Sequence, residues 1–292
     1  MTKAAPTRPV WPFDIAVVGL GIAGAHQLTR EVEEVIKRCK HVFVIESGMG
    51  ISDYLRTLCP EVTNLAPLYK RGKSRLPTYR KMAATVVAKA LEETPVCLAA
   101  YGHPWVYCYP TTLIQRAAAE LDLHVEVFAG ISAFDTLLVD LGRDIAFDGI
   151  QMYEATDLLL RKRPIMTDVT CIIWQATIFG DPTYPKTPFE KKQFEPLEAY
   201  LRNFYPSRHK MTLVTSKTHP LARSIVTEFS LGDLAEQLRE APTVGTLYIP
   251  PLSSRKIADT ALLETMIKTG MDTPTLKKRP GRPVIGPQPT DR

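Results

Sequence analysis

Asp14–Gly24 reads DIAVVGLGIAG, with the apolar run Ile15–Val18 leading directly into glycines at 19, 21 and 24. A short, unbroken apolar run of this kind predicts a strand buried on both faces. The GxGxxG that follows has the form of a dinucleotide turn. There, glycines let backbone approach a pyrophosphate that sits at a helix N-terminus. Glu46, at the end of the next apolar stretch, stands where a ribose-binding acid belongs. One reading is therefore an NAD or FAD oxidoreductase; the other is a tight strand-to-helix turn that needs glycine for its backbone angles. Two further turns weigh against the dinucleotide reading, Tyr101-Gly102-His103-Pro104 and Gly130-Ile131-Ser132-Ala133. Three special turns after strands, all in one half of the chain, predict a cleft lined by several loops.

Outward from this stretch, strands and helices alternate, which predicts an α/β fold. In the first half we expect strands at Asp14–Val18, His41–Glu46, Val96–Tyr101 and Val125–Phe128. Helices are expected at Ala25–Arg38, Thr78–Leu91 and Thr112–Leu121, with a basic loop at Lys70–Arg75. The pattern changes across Gly142–Pro164. A second series follows: strand Val169–Trp174, helix Phe189–Phe204, strand Met211–Val214, helix Leu231–Arg239, strand Thr246–Ile249 and a short helix near Ile257–Ile267. Pro250 and Pro251 end the last strand because proline lacks a ladder N–H. The expected organisation is a lead-in over 1–12, an α/β domain over 13–150, a second over 151–270, and a disordered, basic, proline-rich tail over 271–292.

At 292 residues with 45% apolar content, the chain can bury a large core. Its net charge is +5, and the tail alone carries five basic side chains against Asp272 and Asp291, a net +3. The rest is close to neutral, so total charge argues for no nucleic-acid surface. The five cysteines are spread without CxxC spacing, which indicates neither a disulfide framework nor a zinc site. No apolar run is long enough to span a membrane, and prolines 6, 9 and 12 interrupt any signal-peptide core, so a cytoplasmic location is expected.

Several co-linear motifs are more specific than the glycine turn. The turn GLG (Gly19–Gly21), YGHP (Tyr101–Pro104) and AGISA (Ala129–Ala133) together resemble the tetrapyrrole methylase superfamily. Within it, GKSRLPTYRKM (Gly72–Met82), YGHP, YEATDLLLRKRP (Tyr153–Pro164), WQ (Trp174–Gln175) and YIPP (Tyr248–Pro251) are most similar to the borosin peptide backbone α-N-methyltransferases. The resemblance spans about Asp14 to Pro251. It implies two α/β domains with S-adenosylmethionine in the cleft between them, transfer of methyl groups to backbone amides of a precursor peptide, and a homodimer. A tetrapyrrole or other small-molecule methyltransferase is the alternative within the same fold. Three departures stand out. Trp105 follows YGHP where the family usually has glycine. Ala66 replaces a tyrosine, and the basic tail has only Val284-Ile285 as an apolar pair. That tail resembles the split arrangement, in which a separate precursor peptide is methylated in trans.

The same resemblance places Tyr69, Arg75 and Tyr79 on catalytic positions. It places Tyr101, His103, Val106, Ala133, Gln175, Gly245 and Thr246 on cofactor contacts. The residues themselves fit this chemistry. An amide nitrogen is a poor nucleophile because its lone pair is delocalised into the carbonyl. Arg75 and Tyr79, four apart, share one face if the helix begins by Arg75, and there a guanidinium would favour a phenolate base and stabilise an imidate-like oxygen. Without the family pattern they would read as a solvated cation and a packed ring. No metal-ligand set is apparent, because the six histidines are scattered.

Overall fold

The computed structural model describes residues 13–45, 50–146, 148–185, 189–219 and 221–268. The lead-in 1–12, Glu46 and the tail 271–292 lie outside the described residues. Described residues up to Ser253 form one compact unit; those from Ser254 form another, which holds one helix, Thr260–Lys268, with no buried residue.

The first sheet comprises β1 (Ile15–Gly19), β2 (His41–Val44), β3 (Val62–Asn64), β4 (Val96–Ala100) and β5 (Val125–Phe128). All are parallel, in the order β3-β2-β4-β1-β5. Side-chain alternation sends Ala16 and Val18 to one face, against α1 (Arg30–Arg38) and α2 (Ile51–Leu58). Ile15 and Val17 go to the other face, against α3 (Arg75–Glu92) and α4 (Tyr109–Glu120). With both faces covered, these strands appear in the sequence as unbroken apolar runs.

After β5 comes α5 (Ala133–Leu141), closed at its start by a reciprocal capping box between Ser132 and Asp135 and at its end by Gly142 in the left-handed region. The second sheet contains β6 (Ile150–Glu154), β7 (Thr170–Trp174), β8 (Lys210–Thr215), β9 (Ile225–Ser230) and β10 (Thr246–Ile249), ordered β6-β7-β10-β8-β9. Its β6–β7 pair is parallel and the other pairs are antiparallel. One face packs on α6 (Ala155–Leu160), α7 (Glu195–Leu201) and α8 (Leu234–Glu240). The other, through Ile172, Trp174, Val214 and Tyr248, receives Leu137 of α5. A helix fed by the first sheet thus covers the second, and Asp140 reinforces the contact by accepting from the hydroxyls of Ser216 and Ser224.

Several elements differ from the sequence-based expectations. Gly24–Gln27 forms a 3-10 turn, and α1 begins only at Arg30, capped by Thr29 Oγ1 accepting from Val32 N at 3.1 Å. The α3 helix starts at Arg75, earlier than expected, because Ser74 caps it and Pro77 is tolerated in a first turn. The expected helix Phe189–Phe204 shortens to a 3-10 turn, Lys191–Gln193, followed by α7. The expected Leu231–Arg239 splits in the same way into a 3-10 turn and α8. Elements α2, β3, α5, β6, α6 and β9 were not foreseen.

The three glycine turns converge. A Cβ built on Gly19 would meet the Gly102 carbonyl oxygen and Gly130 Cα at 2.6 Å; one on Gly130 would meet that oxygen at 2.5 Å. The carbonyl is fixed in turn, accepting from Gly21 N at 3.3 Å while Gly102 N donates to Gly21 O at 2.9 Å. The ends of β1, β4 and β5 are therefore in backbone-to-backbone contact. Gly130→Ala should cost about 3 kcal/mol, since neither neighbour is a side chain that can move aside. A urea denaturation midpoint equal to wild type would show that the junction is looser than this geometry.

Candidate active site

A cleft of about 550 Å³ has walls from both halves: Ser74, Arg75, Leu76 and Tyr79 at the start of α3, Trp105, Tyr107, Cys108 and Tyr109 leading into α4, and Gln175 and Pro182 beyond β7. A small ribbon of backbone hydrogen bonds fixes the α3 side. Gly72 N donates to Tyr184 O at 2.7 Å, Tyr184 N to Lys73 O at 2.9 Å, and Arg75 N to Pro182 O at 3.1 Å. The Arg75 side chain extends the link by donating to the Asp181 carbonyl at 2.7 Å. It pairs with no carboxylate among the described residues, so its positive charge remains un-neutralised on the cleft wall.

Tyr79 lies one helical turn on. Its ring meets Tyr69 edge-on at 6.2 Å and Tyr109 at 6.3 Å, while Tyr69 stacks on Tyr184 at 5.0 Å. Burial holds the Tyr69 phenol well above its ordinary range, and the charge and hydrogen bond of Tyr79 act in the same direction against the weaker pull of Arg75. Tyr69 therefore keeps its proton and is the donor to the Tyr79 oxygen. Tyr107 is also pushed up, to about 12, by burial first and then by Glu154 and Asp157.

Two residues on the wall, Tyr107 and Gln175, have positive φ, 55° and 56°. Non-glycine residues held in this region cost free energy and concentrate at functional sites. Gln175 ends β7 and turns the chain into the next 3-10 turn, which brings its amide to the cleft.

Of the residues expected from sequence, Arg75, Tyr79 and Gln175 line the cleft, and Tyr69 backs it through Tyr79. Tyr101, His103 and Val106 belong to the loop that supplies Trp105 and Tyr107 but do not line the cleft themselves. His103 Nδ1 accepts from Trp105 N at 3.1 Å, and its carbonyl accepts from Val106 N at 2.9 Å, which ties the loop to itself. Ala133 opens α5. Gly245 and Thr246 are buried at the start of β10, where a Cβ on Gly245 would come 2.9 Å from Thr177 Cγ2. Missing from the expectations were Tyr107, Tyr109 and Tyr184 on the wall and its rim, and the Asp181 carbonyl. Only the clustering of aromatics after YGHP hinted at the first two.

The dinucleotide reading of the first turn does not survive this geometry. The amides of Ile22 and Ala23, which would face a pyrophosphate, donate instead to Gln27 Oε1 at 2.7 and 2.8 Å. The turn opens into a 3-10 turn, not into α1. Strand β1 sits between β4 and β5, whereas the dinucleotide fold sets its first strand beside its second.

Residues 14–165 match the family described as Tetrapyrrole (Corrin/Porphyrin) Methylases, just over half of the chain. The chain belongs to the tetrapyrrole methylase family. Among relatives, it is 27% identical to a methyltransferase/ribosomally synthesized cyclic peptide dendrothelin A precursor of Dendrothele bispora, over 84% of this chain and 60% of that one. It is 28% identical to a methyltransferase/ribosomally synthesized type I borosin cyclic peptide precursor of Coprinopsis marcescibilis, over 81% of this chain and 62% of that one. The chain thus spans about three fifths of the length of these relatives. A solved uroporphyrin-III C-methyltransferase from Thermus thermophilus, complexed with S-adenosyl homocysteine, shares the fold with a TM-score of 0.54 at 15% identity, over 81% of this chain and 91% of that one.

The tetrapyrrole methylase cofactor is S-adenosylmethionine, and the residues present fit it. The cleft has the volume of a small-molecule site. Its wall offers the Gln175 amide for hydrogen bonds to a purine or an amino acid, and the rings of Trp105, Tyr107 and Tyr109 suit a sulfonium cation. Calorimetric titration should show binding of S-adenosylmethionine and none of NADH. NADH binding without S-adenosylmethionine binding would contradict the assignment.

Proposed function

We propose that this chain is an S-adenosylmethionine-dependent methyltransferase that methylates backbone amide nitrogens of a precursor peptide supplied in trans. The observation that carries the reading is the grouping of an un-neutralised arginine with a hydrogen-bonded tyrosine pair at one cleft. That is the equipment an amide substrate requires, because its nitrogen becomes nucleophilic only as its proton leaves and charge gathers on the carbonyl oxygen. Relatives whose names join a methyltransferase to a cyclic peptide precursor support the peptide class.

In this mechanism Gln175 would hold the cofactor on the cleft wall, while Tyr101, His103, Val106, Ala133, Gly245 and Thr246, which do not line that cleft, are contacts implied by the resemblance; when bound, the cofactor would supply an electrophilic methyl group. Tyr79 is the acceptor of the amide proton. Tyr69 donates to the Tyr79 oxygen and orients it. Arg75, positioned by the Asp181 carbonyl, stabilises the oxygen of the imidate-like amide. Trp105 and Tyr107, both half-exposed, wall the cleft and exclude water from the reacting atoms. The working unit is a homodimer in the cytoplasm; among the described residues no helix is long and apolar enough to cross a membrane.

Tyr79→Phe should abolish methyl transfer while leaving cofactor binding and fold stability close to wild type, since only the oxygen is lost. Arg75→Lys keeps the charge but not the planar fork, and it should cut the rate by about a hundredfold. Mass spectrometry of peptide products from each variant checks both outcomes. A Tyr79→Phe enzyme working at the wild-type rate rules out the assigned base.

A further inference from the structure

Residues 70–81, KRGKSRLPTYRK, hold six cations and no acid, in a chain whose whole net charge is +5. Several exposed cations elsewhere are paired locally, Lys37 with Glu34, Arg56 with Asp53, Arg161 and Arg163 with Asp157, and Arg202 with Glu198. Lys70, Arg71 and Lys73 are exposed and form no ion pair among the described residues. Their backbone is nonetheless fixed, because the ribbon pairing with residues 182–184 runs through Gly72 and Lys73. Cations held on ordered backbone lose less freedom on binding a partner than cations on a mobile loop.

The ribbon also has a second cleft beside it, of about 560 Å³. Gly72, Asp181 and Thr183 line this one, while Ser74, Arg75 and Pro182 line the reaction cleft. Lys192, exposed and likewise without an ion pair among the described residues, stands on the second cleft's wall with Gln193 and Glu190. The Asp181 carboxylate accepts from Thr183 N at 2.7 Å and keeps its charge, so Asp181 and Glu190 are the opposing charges on that wall and the cationic surplus lies with Lys70, Arg71 and Lys73 on the ribbon. Lys73 directly precedes Ser74 and Arg75 of the reaction cleft, and together with Lys70 and Arg71 it flanks Gly72 of the second cleft.

We infer that Lys70, Arg71, Lys73 and Lys192 dock an acidic segment of the peptide substrate, placed a few residues from the amide that reacts. This inference rests on the peptide reading above. It assigns the cations a part in substrate selection, felt in affinity and KM and not in the chemical step.

The test uses the full chain with S-adenosyl homocysteine and two labelled synthetic peptides. They share an apolar segment, flanked by Asp and Glu in one and by Asn and Gln in the other. Fluorescence anisotropy should show the acidic peptide binding about tenfold more tightly, with the advantage lost in Lys73→Glu/Lys192→Glu and at high ionic strength. Cofactor affinity should not change in that variant, and Glu190→Gln should strengthen acidic-peptide binding. Equal affinities for the two peptides, or a preference untouched by the charge reversal, would overturn the inference. So would a single-stranded RNA oligonucleotide that displaces the acidic peptide and is itself lost on charge reversal. Incubation with S-adenosylmethionine separates this claim from the parent reading. Charge-dependent binding without methylation keeps the docking site and removes the peptide-methylation reading. Equal methylation of both peptides at equal KM does the reverse.

Discussion

The contact of Gly19, Gly102 and Gly130 is the constraint on which the rest of the structure depends. Three parallel strands end together there, so the loops that follow must leave in different directions from one point. One becomes the Gln27-sealed turn, one the aromatic segment Trp105–Tyr109, and one the capped start of α5. A side chain at the junction would push these loops apart, and the aromatic wall and α5 would lose their common origin. The glycines that look like a nucleotide signature thus serve close backbone packing. The amides they might have offered to a phosphate are already occupied.

A second constraint joins the halves. The α5 helix covers the second sheet, and the ribbon between residues 72–75 and 182–184 fastens the start of α3 to the segment after β7. Because Arg75 begins α3 and bonds to the Asp181 carbonyl, its position depends on both halves at once. The site is therefore a property of the whole compact unit. Its polar groups differ in what they can do: burial commits Tyr69 to donating, while Arg75 keeps a charge that no carboxylate among the described residues offsets. An amide substrate needs both a proton acceptor and a stabilised oxygen, the roles proposed for Tyr79 and Arg75, which stand four apart on α3.

The sequence disclosed the parts of this structure that obey one-dimensional rules. Strands β1, β2 and β4 are buried on both faces and show as apolar runs. The strands missed were β3, at the edge of the first sheet, and β6 and β9, at the edges of the second. Met152 in β6 and Ile225 and Val226 in β9 are exposed, so their pattern carries no clear buried face. The α5 helix was announced by Ser132, Asp135 and Gly142, a capping signal that the special turn just before it obscured. At the site, the four-residue spacing of Arg75 and Tyr79 was legible because a helix converts spacing into proximity. The Asp181 carbonyl lies 106 residues from Arg75, and the stacking of Tyr184 on Tyr69 joins segments with no shared motif; neither leaves a trace in local pattern.

The most direct test of the account is to locate the methyl group. The full chain would be incubated with S-adenosylmethionine bearing an isotopically labelled methyl and with a candidate precursor peptide, and the product sequenced by tandem mass spectrometry. The account predicts label on backbone nitrogens, with side chains unmodified. Label confined to side chains, or transfer to a tetrapyrrole with none to peptide, would contradict it.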